Sequence, residues 1–471
     1  MKNHHVLLLA YAAQGHLNPS LHLAKRIIAA GGRVTFATTV YGLRRIKSLP
    51  SIDGLSYASF SDGFDDGYRP KESSTSANIS DFRTVSRQSI NDLIQTLSDE
   101  GRPVSFLIYN IVLPWAGSLA AAMSIPSAFL CTHSATVFAI YYHCFNTQNG
   151  VYVRNKDCDE KVNEPPSLIE IEGLPPFSRQ ELPSFLLPSD PYHSLVSTFE
   201  EHIRVLEEDP NPCILLNTFD ALEQDSIKGI RFNGARLFAI GPLRQSASPD
   251  NKNPTPADKL LRCDLYDSSK EYTNWLSSKP DRSVVYVSFG SLATLKKNQM
   301  EEIFNGLLSS GRPFLWVIRP PKDGEEGFEE TIKDKLKEEE GLIVPWCAQT
   351  DVLGHTSVGC FVTHGGWNST TEGLTSGVPM VVFPQFSDQI TNAKMVEEVW
   401  GCGIRVRVNE EGCVEREEIR RCVEMVMGET ERGATVRMKA EKWRASALAA
   451  VGDGGSSEEN FEAFIERYLP S

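Results

Sequence analysis

Short apolar runs alternate with amphipathic segments twice along the chain, and a polar, proline-broken stretch separates the two series. No other feature restricts the fold so strongly. In the first series Val6–Tyr11 reads as a strand, Pro19–Ala30 as a helix and Arg33–Thr38 as a second strand. Ser105–Tyr109, a helix from Pro114 to Met123 and a strand over Ser127–Leu130 continue the pattern, and Cys213–Asn217 reads as its last strand. Strand, helix, strand in register means a parallel sheet with crossover helices. The stretch Arg244–Tyr266 carries Ser-Pro, Asn-Pro and Thr-Pro pairs and reads as a linker. The second series has strands at Ser283–Phe289, Phe314–Arg319, Leu342–Trp346, Cys360–Thr363 and Pro379–Phe383. Helices are expected at Lys296–Ser310, Glu417–Met427 and Ala434–Ala450, where apolar residues recur at three- and four-residue spacing. Residues 61–80 and 146–166 read as surface loops.

The expected architecture is therefore α/β, with two doubly wound parallel-sheet domains facing across a cleft. Ligands in such folds sit beyond the carboxyl ends of the strands. A chain of 471 residues is too long for one core, and two domains of about 200 residues or more are the natural division. The boundaries fall at 1–243 for the first domain, 244–266 for the linker and 267 onward for the second.

Composition closes off several function classes. A net charge of −14 argues against nucleic-acid binding, which needs a basic face. No apolar run reaches membrane-spanning length, and the first run reads as a buried strand, not a signal peptide. Ten scattered cysteines without a secretory signal read as free thiols in a reducing cytoplasm. No Cys-x-x-Cys or His-x-x-x-His pair suggests a metal. Asp157-Cys158-Asp159 copies an Asp-x-Asp only superficially, so no metal site is assigned. The absence of Gly-x-Gly-x-x-Gly after any strand counts against a nicotinamide dehydrogenase.

The stretch Trp346 to Gln389 holds a residue type for each part of a nucleotide sugar. Trp346 ends a strand, where its ring can stack on a base; a core Trp is the alternative. Ala348 would offer backbone groups to the base edge, and Gln349 could reach a ribose. His364-Gly365-Gly366-Trp367-Asn368-Ser369 joins a strand to a helix, whose start presents unpaired N–H groups and a positive dipole end to phosphate. Gly365 and Gly366 let the backbone approach closely, while Asn368, Ser369 and His364 add side-chain donors. Asn and Ser also suit a plain helix cap, but a cap would not need His-Gly-Gly-Trp before it. Glu372, one turn in, suits ribose hydroxyls, and Asp388 with Gln389 suits sugar hydroxyls. Upstream, Ser291 follows Ser288-Phe289-Gly290 in a small-residue turn that can touch a diphosphate.

Spacing, residue types and length of this stretch resemble the sugar-donor box of plant family-1 UDP-sugar glycosyltransferases. Gly365 stands where Cys is commoner in the family, and Phe386 where Trp is commoner. Ser61-Asp62-Gly63-Phe64-Asp65-Asp66-Gly67, Pro114-Trp115, Ala135-Thr136-Val137-Phe138 and Tyr141-Tyr142 resemble anthocyanin 5-O-glucosyltransferases and apocarotenoid-ester-forming relatives. Phe138, Tyr141 and Tyr142 suit either a planar acceptor or the core. The resemblance implies the GT-B fold, with a helix over 456–471 packing back on the N-terminal domain and the second domain ending at 455. It implies a monomer that uses UDP-glucose as co-substrate, needs no cofactor and inverts the anomeric carbon of glucose, Gln389 going with glucose. It implies His16, in Gly15-His16, as the general base, and Thr132 as a contact of the transferred sugar. The family's partner Asp is replaced by Asn110, which tilts the acceptor toward acidic phenols and carboxylates. The rivals are a C-glucosyltransferase and a catalytically weak nucleotide-sugar-binding homologue.

Overall fold

The computed structural model describes residues 4–46, 49–67, 75–146, 168–244, 271–319, 328, 332 and 335–470. The linker expected over 244–266 lies almost wholly outside the described residues, as do most of the loop expected at 146–166 and the Asp157-Cys158-Asp159 motif.

The chain divides into two compact units, Met1–Leu265 with Ala449–Ser471, and Tyr266–Leu448. The division therefore falls inside the helix Glu431–Val451 and not at Ser456. In the first unit the strands are β1 (His5–Leu9), β2 (Arg33–Thr39), β3 (Leu55–Phe60), β4 (Phe106–Asn110), β5 (Ser127–Cys131), β6 (Cys213–Leu216) and β7 (Arg236–Ala239). They form one sheet in the order β3-β2-β1-β4-β5-β6-β7, parallel throughout. Two of these strands, β3 and β7, are absent from the sequence reading, so Cys213–Leu216 is not the last strand. The second unit has β8 (Val284–Ser288), β9 (Phe314–Val317), β10 (Gly341–Val344), β11 (Val358–Thr363), β12 (Met380–Val382) and β13 (Gly403–Arg405). Their order is β10-β9-β8-β11-β12-β13, again all parallel.

Both sheets reverse their winding beside the first strand of the unit, between β1 and β4 and between β8 and β11. A parallel sheet leaves its ligand crevice at that point, at the carboxyl ends. Central strands are apolar on both faces because helices cover both sides; β1, β4 and β8 are buried along their full length. The core of the second unit runs from Val285 and Val287 through Phe314 and Trp316 to Ile419 and Val423. The helix Ser456–Tyr468 belongs to the first unit. Phe464 sets its ring 5.7 Å from Phe106 and 5.9 Å from Phe238, and Ser457 Oγ donates to the Gly241 carbonyl at 2.6 Å.

The first helix spans Gln14–Ala29, so it starts five residues before the expected Pro19 and places His16 in its opening turn. The helix Thr75–Asp99 begins inside the stretch expected as a loop over 61–80. Among the described residues no helix is long and apolar enough to cross a membrane.

Candidate active site

In the second unit the turn after β11 is built around an imidazole. A Cβ added at Gly366 would stand 2.5 Å from Nε2 of His364, and one at Gly290, across the turn after β8, 2.7 Å from the same ring. Only glycine leaves room for the ring at both places. Gly365 adopts φ +80°, and a Cβ there would meet Val382 at 2.6 Å, so the glycine that departs from the family pattern suits this backbone. Burial pulls the His364 pKa down to about 4; Asp388 holds it up and the Arg319 guanidinium pushes it down. The ring is neutral near pH 7, and its Nδ1 makes no hydrogen bond among the described residues.

The helix Trp367–Ser376 starts directly after Gly366. Its internal ladder opens with the Thr370 N–H donating to the Gly366 carbonyl at 2.9 Å, so the turn holding Trp367, Asn368 and Ser369 carries the positive end of the helix. The Trp367 side chain is buried and packs 6.0 Å from the Trp400 ring. Trp367 thus anchors the helix start through its buried ring. Arg319, which sequence reasoning missed, donates to the carbonyls of Ser291 and Ala293 and shapes the turn after β8. Ser291 itself is half-buried beside the exposed Leu292.

Trp346 lies two residues beyond β10 and is half-buried, so it is not a core Trp. Beside it, the Ala348 N–H donates to the Tyr272 hydroxyl at 3.3 Å, and the Ala348 carbonyl accepts from Asp351 at 2.9 Å. Gln349 does not stand alone toward a ribose. Its Nε2 donates to Ser369 Oγ at 2.9 Å and Glu372 Oε2 at 2.7 Å, and its Oε1 accepts from the Tyr286 hydroxyl at 3.1 Å. Tyr286 sits in a central strand that reads as pure core, which hid this role.

Asp388 and Gln389 come at the turn after β12, 5% and 4% exposed. Asp388 Oδ2 accepts from Asn392 Nδ2 at 2.7 Å, and the same amide donates to the Gly365 carbonyl at 2.9 Å, so Asn392 joins the two turns. Gln389 Oε1 accepts from the backbone N–H groups of Gln385 (2.8 Å) and Phe386 (3.2 Å). That leaves its NH2 end as the part able to donate to a ligand. Phe386 packs against the core of this unit.

In the first unit β1, β4 and β5 bring His16, Asn110 and Thr132 to one end of the sheet. His16 Nδ1 lies 3.1 Å from Thr132 Oγ1. Its half-buried ring has a pKa lowered to about 3, by desolvation first and then by the neighbouring His133. Asn110 is fully buried. Its Oδ1 accepts from the Val112 N–H at 3.4 Å, and its Nδ2 makes no hydrogen bond among the described residues. The hydrogen bond on the His16 ring therefore comes from Thr132 and not from Asn110. Trp115, Phe138, Tyr141 and Tyr142 are all 5% exposed or less. Tyr141 stacks on Phe199 at 4.0 Å, and the Tyr142 hydroxyl donates to the Arg231 carbonyl at 2.7 Å. These rings are core, which decides the alternative left open by their spacing.

Among the described residues no three His, Cys, Asp or Glu side chains gather as metal ligands. A half-exposed ring, a neutral imidazole at a helix start and a buried Asp-Gln pair, set on a doubly wound sheet, define a nucleotide-sugar-binding class of α/β protein. Comparison with known proteins narrows the class to a family. Residues 261–432 match the family model described as UDP-glucoronosyl and UDP-glucosyl transferase. The chain is 46% identical to the chloroplastic crocetin glucosyltransferase of Gardenia jasminoides, over 99% of this chain and 98% of that protein. It is 41% identical to the anthocyanidin 3-O-glucoside 5-O-glucosyltransferase 1 of Perilla frutescens, over 99% of each. A solved O. sativa protein in complex with UDP is 31% identical and superposes with a TM-score of 0.83 over 98% of this chain and all of that one. The chain belongs to the plant UDP-glycosyltransferases: it is a glycosyltransferase, and its two Rossmann-like domains are those of the GT-B fold.

Proposed function

We propose that the enzyme transfers glucose from UDP-glucose to a small lipophilic plant metabolite, with inversion and without a metal or other cofactor. The acceptor is a flavonoid or anthocyanin phenol, or a carboxylate such as an apocarotenoid acid. The enzyme works as a monomer in the cytoplasm.

The observation that carries this reading is the set of groups gathered in the second unit. Trp346 stacks the uracil. Glu372, held by Gln349, takes the ribose hydroxyls. The opening turn at Trp367–Ser369 and His364 take the diphosphate, with the Arg319 charge behind the Ser291 turn. Asp388 and the Gln389 amide take the glucose hydroxyls. In the first unit the His16 ring is neutral at pH 7, the protonation state a general base needs. Its free nitrogen takes the proton of a phenolic O–H, and the oxygen attacks the anomeric carbon from the face opposite UDP. The bond from that carbon to the phosphate oxygen breaks, UDP leaves with the electron pair, and His16 releases the proton to solvent. A carboxylate acceptor is already ionised near pH 7 and needs no base. The neutral Asn110 fits both acceptors better than a plain alcohol, because no carboxylate is present to stabilise a charged imidazole.

The test is incubation with UDP-glucose and a panel of phenols and carboxylic acids, read by mass spectrometry and by NMR of the anomeric proton. A β-glucoside or β-glucosyl ester from the α-linked donor is expected. A carbon-linked product would shift the reading to C-glucosylation, and no UDP release with any acceptor would leave a nucleotide-sugar-binding protein. EDTA is expected to leave the rate unchanged; strong inhibition restored by a divalent cation would overturn the metal-free reading.

A further inference from the structure

We propose that Thr132 is the positioning residue that orients His16 and sets its tautomer, the task a carboxylate performs elsewhere in this family and which Asn110 does not perform here. The inference rests on His16 being the base.

Three features support it. The first is the contact itself, His16 Nδ1 to Thr132 Oγ1 at 3.1 Å, with Thr132 only 4% exposed. The Thr132 hydroxyl is able to donate or accept; in the arrangement proposed it accepts, and the imidazole carries its proton on Nδ1. Its Nε2 lone pair is then free for a substrate proton.

The second is rigidity. Thr132 directly follows β5 in a segment tied at both ends. The Asn217 N–H donates to the Cys131 carbonyl at 3.1 Å. Ser134 Oγ accepts from the Val137 N–H at 3.2 Å. Beyond it the buried Glu223 carboxylate accepts from the N–H groups of Ala135 and Thr136, each at 2.9 Å, and from the Thr136 hydroxyl at 2.7 Å. A hydroxyl on so tightly held a turn offers its oxygen at one place, as an orienting group must.

The third is the state of Asn110. Its oxygen is directed to the Val112 N–H and its amide nitrogen has no partner among the described residues, although the residue is fully buried. A side chain serving the histidine would have spent one of these groups on it.

A hydroxyl and a carboxylate differ in one consequence. Both orient the ring, but a carboxylate can only accept, whereas the Thr132 hydroxyl fixes the tautomer only by accepting from Nδ1–H, and only the carboxylate stabilises the imidazolium formed as the proton moves. Thr132 therefore supplies orientation without charge. Its loss should be felt by acceptors that must be deprotonated and not by those already ionised. A role confined to touching the transferred sugar would instead slow every acceptor alike.

The experiment compares the wild type with Thr132→Val, Thr132→Ser and His16→Ala. The acceptors are 4-methylphenol, which needs a base, and 4-nitrophenol, ionised at about pH 8.5. With 4-methylphenol, Thr132→Val should lower kcat by about a hundredfold or more, within the range of a lost general base, with the KM for UDP-glucose little changed. Thr132→Ser should recover most of that loss. With 4-nitrophenol at the higher pH the Thr132→Val deficit should shrink to a few-fold. ¹⁵N NMR of the wild type should place the His16 proton on Nδ1, and in Thr132→Val it should spread over both nitrogens. A wild-type proton on Nε2, or equal losses with the two phenols, would overturn the proposal. If His16→Ala is inactive on 4-methylphenol while Thr132→Val is fully active, this inference falls and the base survives. If His16→Ala keeps a near-normal rate, both fall.

Discussion

At the scale of single residues, Trp346 and His16 carry the clearest expectations. Trp346 is half-buried on a turn, and under the proposed reading truncating it would leave the uracil without its stacking face. Stacking of a base on an aromatic ring is worth ~1–3 kcal/mol. Trp346→Ala should therefore raise the KM for UDP-glucose by roughly 5- to 150-fold with a smaller change in kcat, measured by steady-state kinetics. An unchanged KM would remove the ring from the donor site. His16 has an ordinary value of 6.5 that desolvation and His133 lower to about 3. As the proposed base it is thus neutral throughout the mildly acidic range. The acid limb of kcat/KM for a phenol should lie well below pH 6. A limb centred at 6 to 7 would mean that the imidazole is solvated in the working enzyme.

The elements show which parts of this protein are legible in sequence and which are not. Central strands such as β1, β4, β8 and β11 are apolar runs because both their faces are covered, and a reader of the sequence finds them. The strands that sequence reading missed, β3, β7 and β13, are three of the four sheet edges; the fourth, β10, was found because its Gly-Leu-Ile-Val run is apolar. An edge strand is covered on fewer sides and carries polar residues, as in Leu-Ser-Tyr-Ala-Ser-Phe of β3. The gathering of Gln349, Ser369 and Glu372, and of Gly365 with Asp388, was legible because these residues lie close together in sequence on adjacent turns. Tyr286, Arg319 and Asn392 were not, because each reaches the site through one side-chain direction that periodicity does not encode. The same limit hid the inward turn of Trp367 and of Tyr141. The helix Ser456–Tyr468 makes a further point at this scale. Phe464 is fully buried between Phe106 and Phe238, and Arg26 bridges Glu458 at 2.6 Å while donating to the Ile240 carbonyl at 2.7 Å. Removing a buried Phe side chain typically costs about 3–5 kcal/mol. Phe464→Ala should lower the stability of the first unit by that amount in urea titration, whereas Glu458→Gln, at a partly exposed ion pair, should cost about 1 kcal/mol or less. Equal effects would mean that charge, and not ring packing, holds the helix.

For the whole molecule, the buried titratable groups fix how stability depends on pH. Desolvation lowers His202, which is buried, to about 3; it also lowers His16 to about 3 and His364 to about 4, but these two rings are half-buried and solvent screening reduces what they contribute. Folded, they refuse protons that the unfolded chain accepts from pH 6.5 downward. Their stabilising contribution is complete above 6.5 and drains away as pH falls toward 4 and then 3. His202 is 1% exposed, with Nε2 donating to the Ile111 carbonyl at 2.5 Å, and this group alone contributes a slope of ~1.4 kcal/mol per pH unit. Glu223 acts the other way. Burial raises its pKa against the hydrogen bonds from Thr136, so its contribution is present at low pH and lost as pH rises through the folded value. Among other carboxyls, burial raises Asp62, which is 6% exposed, and the half-buried Glu201. The Arg416 hydrogen bond lowers Glu302, and for Glu418 the contacts with Arg421 and Arg407 outweigh the desolvation. On the acid side Glu302 and Glu418 act with the histidines, while Asp62 and Glu201 oppose them. The urea midpoint should fall steadily from pH 6.5 to 4, Glu223→Gln should steepen that fall, and His202→Phe should flatten it by about one proton. A midpoint that stays level between pH 7 and 5 would show that these imidazoles ionise freely inside the fold.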